Sequence, residues 1–142
     1  RIIGTLDDAT RSLMSDLGIV YSSASSLTHE QIVSEYQQAD IINFPSTFEG
    51  FGMPIIEGQA TGRLGITSNL SPMKEVAGEG AMLVDPYSVE DIRKAYINII
   101  NNPSLRKSLV KKGLENVQKY QVEHITAQYV NIYISITNEN SD

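Results

Sequence analysis

Phe44-Pro45-Ser46-Thr47-Phe48-Glu49-Gly50-Phe51-Gly52-Met53-Pro54-Ile55-Ile56-Glu57 is the stretch that decides how this chain reads. It extends a short apolar run, Ile41 to Phe44, that stops at a proline. Gly50 and Gly52 then precede Pro54, and proline suits the first turn of a helix, where its missing N–H would be unpaired anyway. The order is strand, glycine-rich turn, helix N-terminus. Such a turn offers free backbone N–H groups and the positive end of a helix dipole, a setting for an anion such as phosphate. Two carboxylates, Glu49 and Glu57, bracket the turn with seven residues between them. A phosphate loop alone does not explain them. Carboxylates hold vicinal hydroxyls well, because they accept the hydrogen bonds that water would otherwise take.

The same alternation extends both ways. Upstream, Ile2-Ile3 predicts a first strand, Asp7 or Asp8 a helix cap, and Leu13, Met14 and Leu17 a helical apolar face ending at Gly18. Ile19 to Tyr21 predicts a second strand running into a Ser-rich loop, Ser22 to Ser26. Thr28 with Gln31 forms a capping box for a helix through Ala39, and Ile41 to Phe44 is the third strand. Downstream, Pro54 opens a helix to about Ala60, ended by Gly62, and Leu64 to Thr67 is a fourth strand. Pro72 starts a short helix that stops at Gly78, and Ala81 to Val84 is a fifth strand. Ser88 caps a helix whose Ile92, Ala95, Tyr96, Ile99 and Ile100 share one face. Pro103 breaks it, Ser104 caps the next helix, with Leu105, Leu109 and Val117, and a last helix runs from about Glu123 to Ile136. In that last helix Ile125, Tyr129, Ile132 and Tyr133 read as core. The pattern predicts an α/β fold: a Rossmann-like, doubly wound parallel sheet, with ligands at the carboxyl ends of its strands. Residues 1–137 are expected to form one nucleotide-sugar-binding domain, with 138–142 a disordered tail.

Composition narrows the function. The 142 residues contain no cysteine, so disulfides and thiolate metal sites are absent, and the formal net charge of −6 argues against binding nucleic acid or anionic lipid non-specifically. No apolar run approaches the roughly 20 residues that span a bilayer. No signal-peptide pattern opens the chain, which sets the expectation of a cytoplasmic protein. The abrupt start on Arg1-Ile2-Ile3-Gly4 reads as a piece of a longer polypeptide.

Glu49-Gly50-Phe51-Gly52-Met53-Pro54-Ile55-Ile56-Glu57 resembles the E-x7-E motif of the retaining glycosyltransferases called group 1 or family 4, which have the two-domain GT-B fold. Tyr36-Gln37-Gln38-Ala39-Asp40 is similar to the family's Tyr-x-x-Ala-Asp, and Pro45-Ser46 to its Pro-Ser. Thr67-Ser68-Asn69, Glu75-Val76-Ala77-Gly78 and Val84-Asp85-Pro86 match in order, so the resemblance spans nearly the whole chain. It implies the C-terminal, donor-binding half of a GT-B enzyme without its first strand and helix. By the same resemblance Glu49 touches hydroxyls of the donor sugar and is the catalytic carboxylate. Gly50, Phe51, Gly52 and Met53 present backbone N–H groups to sugar and diphosphate, and Glu57 accepts from the ribose hydroxyls. The implied reaction is hexosyl transfer from a nucleoside diphosphate sugar with retained configuration, without metal or other cofactor, in polysaccharide biosynthesis.

The family's Arg/Lys pair that clamps the diphosphate and its amino-terminal acceptor domain, a partner in cis, have no counterpart here. The chain alone is therefore expected to be inactive. Membrane association, at the inner face, would be made only through the missing half. Two departures stand out: serines at 22–26 where the family often has glycine, and Leu64 or Gly65 where it has proline. His29 and His124 have no ligand partner at metal spacing, Asp7-Asp8 read as a cap, and Arg63 and Lys74, the basic residues nearest the motif in sequence, as solvated cations. Two other functions fit the fold: a non-catalytic nucleotide-binding or interaction module, and a nucleotide-sugar 2-epimerase relative. Intact Glu49 and Glu57 argue against the first, the run of family matches against the second.

Overall fold

The computed structural model describes residues 1–139. Strands and helices alternate as β1 (Ile2–Ile3), α1 (Asp8–Asp16), β2 (Ser23–Ala24), α2 (His29–Gln38), β3 (Ile41–Phe44), α3 (Met53–Ala60), β4 (Leu64–Ser68), α4 (Met73–Ala77), β5 (Ala81–Val84), α5 (Val89–Asn101), α6 (Pro103–Val117) and α7 (Val122–Glu139). The chain divides into two compact units, Arg1–Glu35 and a second from Tyr36 onward. Among the described residues no helix is long and apolar enough to cross a membrane.

In the first unit β1 pairs in parallel with β2, Ile2 opposite Ser23 and Ile3 opposite Ala24. Asp7 caps α1, accepting from the Thr10 N–H at 2.7 Å. Gly18, at φ 62°, ends it in a Schellman motif: its N–H reaches the Ser15 carbonyl and the Ile19 N–H that of Met14. Thr28 and Gln31 exchange the two bonds of the expected capping box. The second strand corrects the sequence reading. It lies at Ser23–Ala24, inside the expected loop, and Val20 of the expected strand is 99 % exposed. Ile19 is already used in closing α1, and backbone pairing with β1, rather than β-branched propensity, sets where the strand forms. Leu13 and Leu17 of the expected apolar face are exposed.

In the second unit β3, β4 and β5 form a parallel sheet in chain order, Phe44 opposite Thr67 and Ser68 opposite Val84. Successive strand side chains point to opposite faces, and each face has its own apolar cluster. On one, Phe44, Ala81 and Leu83 pack with Ile55 and Ile56 of α3 and Met73, Val76 and Ala77 of α4. On the other, Leu64, Ile66, Met82 and Val84 pack with Ile92, Ala95, Tyr96 and Ile99 of α5 and with Val110. Ile66 and Ile99 are fully buried, each worth roughly 1.5–3 kcal/mol relative to exposure. Helices on both faces of a parallel sheet are the expected architecture.

Three further expectations change. Asn102, not Ser104, caps α6, accepting from the Leu105 N–H at 3.0 Å, with Pro103 at the first helical position. Proline there breaks α5 and starts α6 in one step. Arg106 then donates to the last carbonyls of α5, Ile99 and Ile100, at 2.7 Å each. The expected core face of α7 is not core: Tyr129, Ile132 and Tyr133 are exposed, and only Ile125 is half-buried. Residues 138 and 139 continue α7, and the rest of the expected tail, 140–142, lies outside the described residues.

Candidate functional site

β3 and β4 run parallel, so their carboxyl ends, Phe44 and Ser68, lie at one edge of the sheet. Hydroxyls of β4 hold the chain leaving β3. Thr67 Oγ1 donates to the Phe44 carbonyl at 3.0 Å, and Ser68 Oγ, fully buried, donates to the Ser46 carbonyl. Ser46 Oγ in turn lies 2.9 Å from Glu49 Oε1 and 3.1 Å from the Phe48 carbonyl, either of which accepts its single proton. Glu49 is thus carried on a loop tied to β4. Glu57 lies one helical turn into α3, half-buried, and its Oε2 accepts from the Tyr36 hydroxyl at 2.8 Å. Burial, then this bond and the carboxylate's charge, hold the Tyr36 phenol well above the usual tyrosine range, so it remains a donor.

The turn between the carboxylates takes its shape from Gly52. Its φ is 98°, a backbone conformation that calls for glycine, and a Cβ there would also press on Ile55 Cδ1 at 3.0 Å. At Gly50 nothing lies within 4 Å of an added Cβ, so the fold itself does not demand glycine there. α3 starts at Met53, one residue before the expected Pro54, and Gly52 provides no side-chain cap. By contrast α1, α5 and α6 are each capped by a side chain: Asp7, Ser88 and Asn102. The first-turn amides of α3 therefore sit at the positive end of its dipole with no capping carboxylate or hydroxyl. Phe51, expected only to present its backbone, packs its ring edge-to-face on Tyr120 with centroids 5.6 Å apart.

Behind the site α3 is locked by a buried polar network. Gln59, 2 % exposed, donates from Nε2 to the Ala77 carbonyl at 2.9 Å. Asn116 of α6, 5 % exposed, donates from Nδ2 to Gln59 Oε1 at 3.0 Å and to the Val76 carbonyl at 2.8 Å. These amides satisfy the last carbonyls of α4, which no further helical turn would reach. Space is tight: a Cβ on Gly80 would stand 2.4 Å from the Gly113 Cα.

Arg63 is not near the motif. It precedes β4 at the amino end of the sheet, where it donates to the Gln37 carbonyl at 2.6 Å. A cavity of ≈ 1020 Å³ opens at that same end, lined by Asp40, Ile41, Arg63, Leu64, Ile99 and Val110 among others, and contains neither Glu49 nor Glu57. Chemistry-bearing groups gather at the opposite, carboxyl edge, so we place the candidate site there rather than at this cavity. Lys74 is exposed in α4, and His29 and His124 are exposed in α2 and α7.

A family model described as Glycosyl transferases group 1 matches residues 9–116. The chain belongs to this family. This group 1 glycosyltransferase chain is 34 % identical over 68 residues to the serotype-specific mannosyltransferase WbdA of Escherichia coli, covering 48 % of this chain and 8 % of that protein. It is 32 % identical over 88 residues to the MMP alpha-(1->4)-mannosyltransferase of Mycolicibacterium hassiacum, covering 58 % of this chain and 21 % of that protein. The chain thus spans well under two thirds of the curated relatives it matches. Among solved structures, sucrose-phosphate synthase from Thermosynechococcus elongatus superposes with a TM-score of 0.81 at 23 % identity, over 97 % of this chain and 38 % of that one. At that identity the likeness speaks to fold alone, and it agrees with the expected GT-B-type architecture.

In this group 1 chain the sequence motif marked the two carboxylates and the turn, while the groups that hold them went unassigned. Tyr36, Ser46, Thr67 and Ser68 all lie in segments that carried the family resemblance, which was the available signal. Gln59, Asn116 and Tyr120 carried none: an amide or phenol on a helix reads as solvated until its neighbours are known.

Proposed function

We propose that this chain is the donor-binding part of a retaining glycosyltransferase that takes a glycosyl group from a nucleoside diphosphate sugar. The observation that carries the reading is a pair of carboxylates, each held by a protein hydroxyl, bracketing the side-chain-free N-terminus of α3 at the carboxyl edge of the sheet. In this reading Glu49 accepts from hydroxyls of the transferred sugar and Glu57 from the ribose diol. The amides of Gly50, Phe51, Gly52 and Met53 face the diphosphate, and the α3 dipole favours the negative charge that grows on it as the glycosidic bond breaks. Such stabilisation needs no metal, and we propose none. Cations that clamp the diphosphate, and the acceptor site, belong to further chain in the whole protein, so this chain alone binds donor without transferring it. Mannosyl is the first sugar to test, since the named relatives are mannosyltransferases; a cytoplasmic place in polysaccharide assembly is part of the same proposal.

Thermal unfolding of the chain with UDP-glucose, GDP-mannose, ADP-glucose and dTDP-glucose tests this. One donor should raise the midpoint, and Glu57→Gln should weaken its affinity by about 1–3 kcal/mol, the scale of a hydrogen bond to a charged group. Four donors without effect on the wild-type chain would refute donor binding.

A further inference from the structure

We propose that Tyr36 is a positioning residue for Glu57: its hydroxyl fixes the carboxylate in the orientation that a ligand diol meets. This rests on the reading of Glu57 as a diol acceptor. Tyr36 OH to Glu57 Oε2, at 2.8 Å, joins side chains 21 residues apart, on the helices that precede and follow β3. A tyrosine has two side-chain torsions and here is half-buried, so its hydroxyl is held in place. A free glutamate has three torsions and loses rotamer freedom when it binds. That freedom corresponds to about tenfold in affinity when it must be given up at binding rather than at folding. The bond does not saturate Glu57. An ionised carboxylate offers about four acceptor positions, so occupation of one leaves capacity for two hydroxyls. Burial and the carboxylate together keep the phenol protonated, so the device operates across the neutral pH range.

Glu49 has a weaker counterpart. Its hydroxyl donor, Ser46, lies three residues away in the same loop and has a second acceptor at comparable distance. Fixing Glu49 therefore depends on the loop. Fixing Glu57 depends on the tertiary fold.

The test is calorimetric titration of UDP, GDP, ADP and dTDP into the wild-type chain, Tyr36→Phe, Glu57→Gln and the double variant, with thermal midpoints measured without ligand. Tyr36→Phe should weaken the nucleotide that binds about tenfold, through the lost preorganisation. In the Glu57→Gln background the same change should alter affinity less than about twofold, since the two groups act as one unit. A merely structural tyrosine would give equal losses in both backgrounds, and that result, or unchanged affinity in Tyr36→Phe, overturns the proposal. Failure of all four nucleotides to bind the wild-type chain overturns the reading of Glu57 and this inference with it. NMR titration of ring-labelled tyrosine is the independent arm: Glu57→Gln should lower the ionisation midpoint of Tyr36, and an unmoved midpoint would show that the bond is absent in solution.

Discussion

Asn116→Ala should be among the most damaging single changes in this chain, although Asn116 touches no part of the candidate site. The side chain donates from Nδ2 to Gln59 Oε1 at 3.0 Å and to the Val76 carbonyl at 2.8 Å, and it is 5 % exposed. Truncation leaves both acceptors inside the protein. An orphaned buried acceptor costs about 1–3 kcal/mol. The Val76 carbonyl keeps a longer contact with the Tyr120 hydroxyl at 3.4 Å, so its share falls at the low end. Gln59 Oε1 bears most of the loss, for a total of about 3–4 kcal/mol, against a typical domain stability of about 5–15 kcal/mol. With a urea slope of about 1–3 kcal/mol per molar, the midpoint should fall by roughly 1–4 M. Far-UV circular dichroism is the suitable readout because the chain has no tryptophan. Gln59→Met breaks the same contact from the other side and also removes the 2.9 Å bond from Gln59 Nε2 to the Ala77 carbonyl, which keeps the Gly80 N–H at 3.1 Å. The double variant should therefore lose less than the sum of the singles. A loss below about 1 kcal/mol for Asn116→Ala, or strict additivity, would refute the claim that these amides form one network.

Gly52→Ala forces an L side chain to φ 98° and drives its Cβ to 3.0 Å from Ile55 Cδ1, so it should cost about 1–3 kcal/mol of stability in urea unfolding and lower donor affinity as well. Equal stability would show that the turn relaxes freely. Acid sensitivity follows from Asp7, Glu35 and Glu79, whose carboxyls are held below the usual range by the Thr10 N–H, by Arg1 and by Lys112 respectively. Their contribution is complete above the unfolded carboxyl pKa of about 4 and is lost as pH falls through the lower folded values. Glu79→Gln should make the acid limb of a stability–pH curve shallower, and an unchanged limb would show that Lys112 does not hold Glu79 in solution.

Strand β3 was legible to the residue, because Ile41-Ile42-Asn43-Phe44 is an apolar run closed by a proline. β5 was equally clear between Gly80 and Asp85-Pro86. Helix starts were legible wherever a short polar side chain could fold back on the backbone, at Asp7, Thr28 and Ser88. The reading failed where a local signal competed with a distant partner. Ile19-Val20-Tyr21 has the composition of a strand, but β1 pairs with Ser23–Ala24 instead. Tyr129, Ile132 and Tyr133 keep helical spacing, yet spacing reports only that a helix has an apolar face, not that anything covers it.

At the candidate site the division is sharper. Sequence by itself determined the two carboxylates, the turn between them and the helix behind it, because glycine and proline constrain the backbone locally whatever surrounds them. Tertiary structure alone decided what holds those carboxylates: Tyr36 on Glu57, Ser68 through Ser46 on Glu49, Tyr120 against Phe51, and Gln59 with Asn116 behind α3. Hydrogen bonds and ring contacts need atoms within a few ångströms, and residues 21 to 69 positions apart in the chain reach that distance only when helices dock on a sheet.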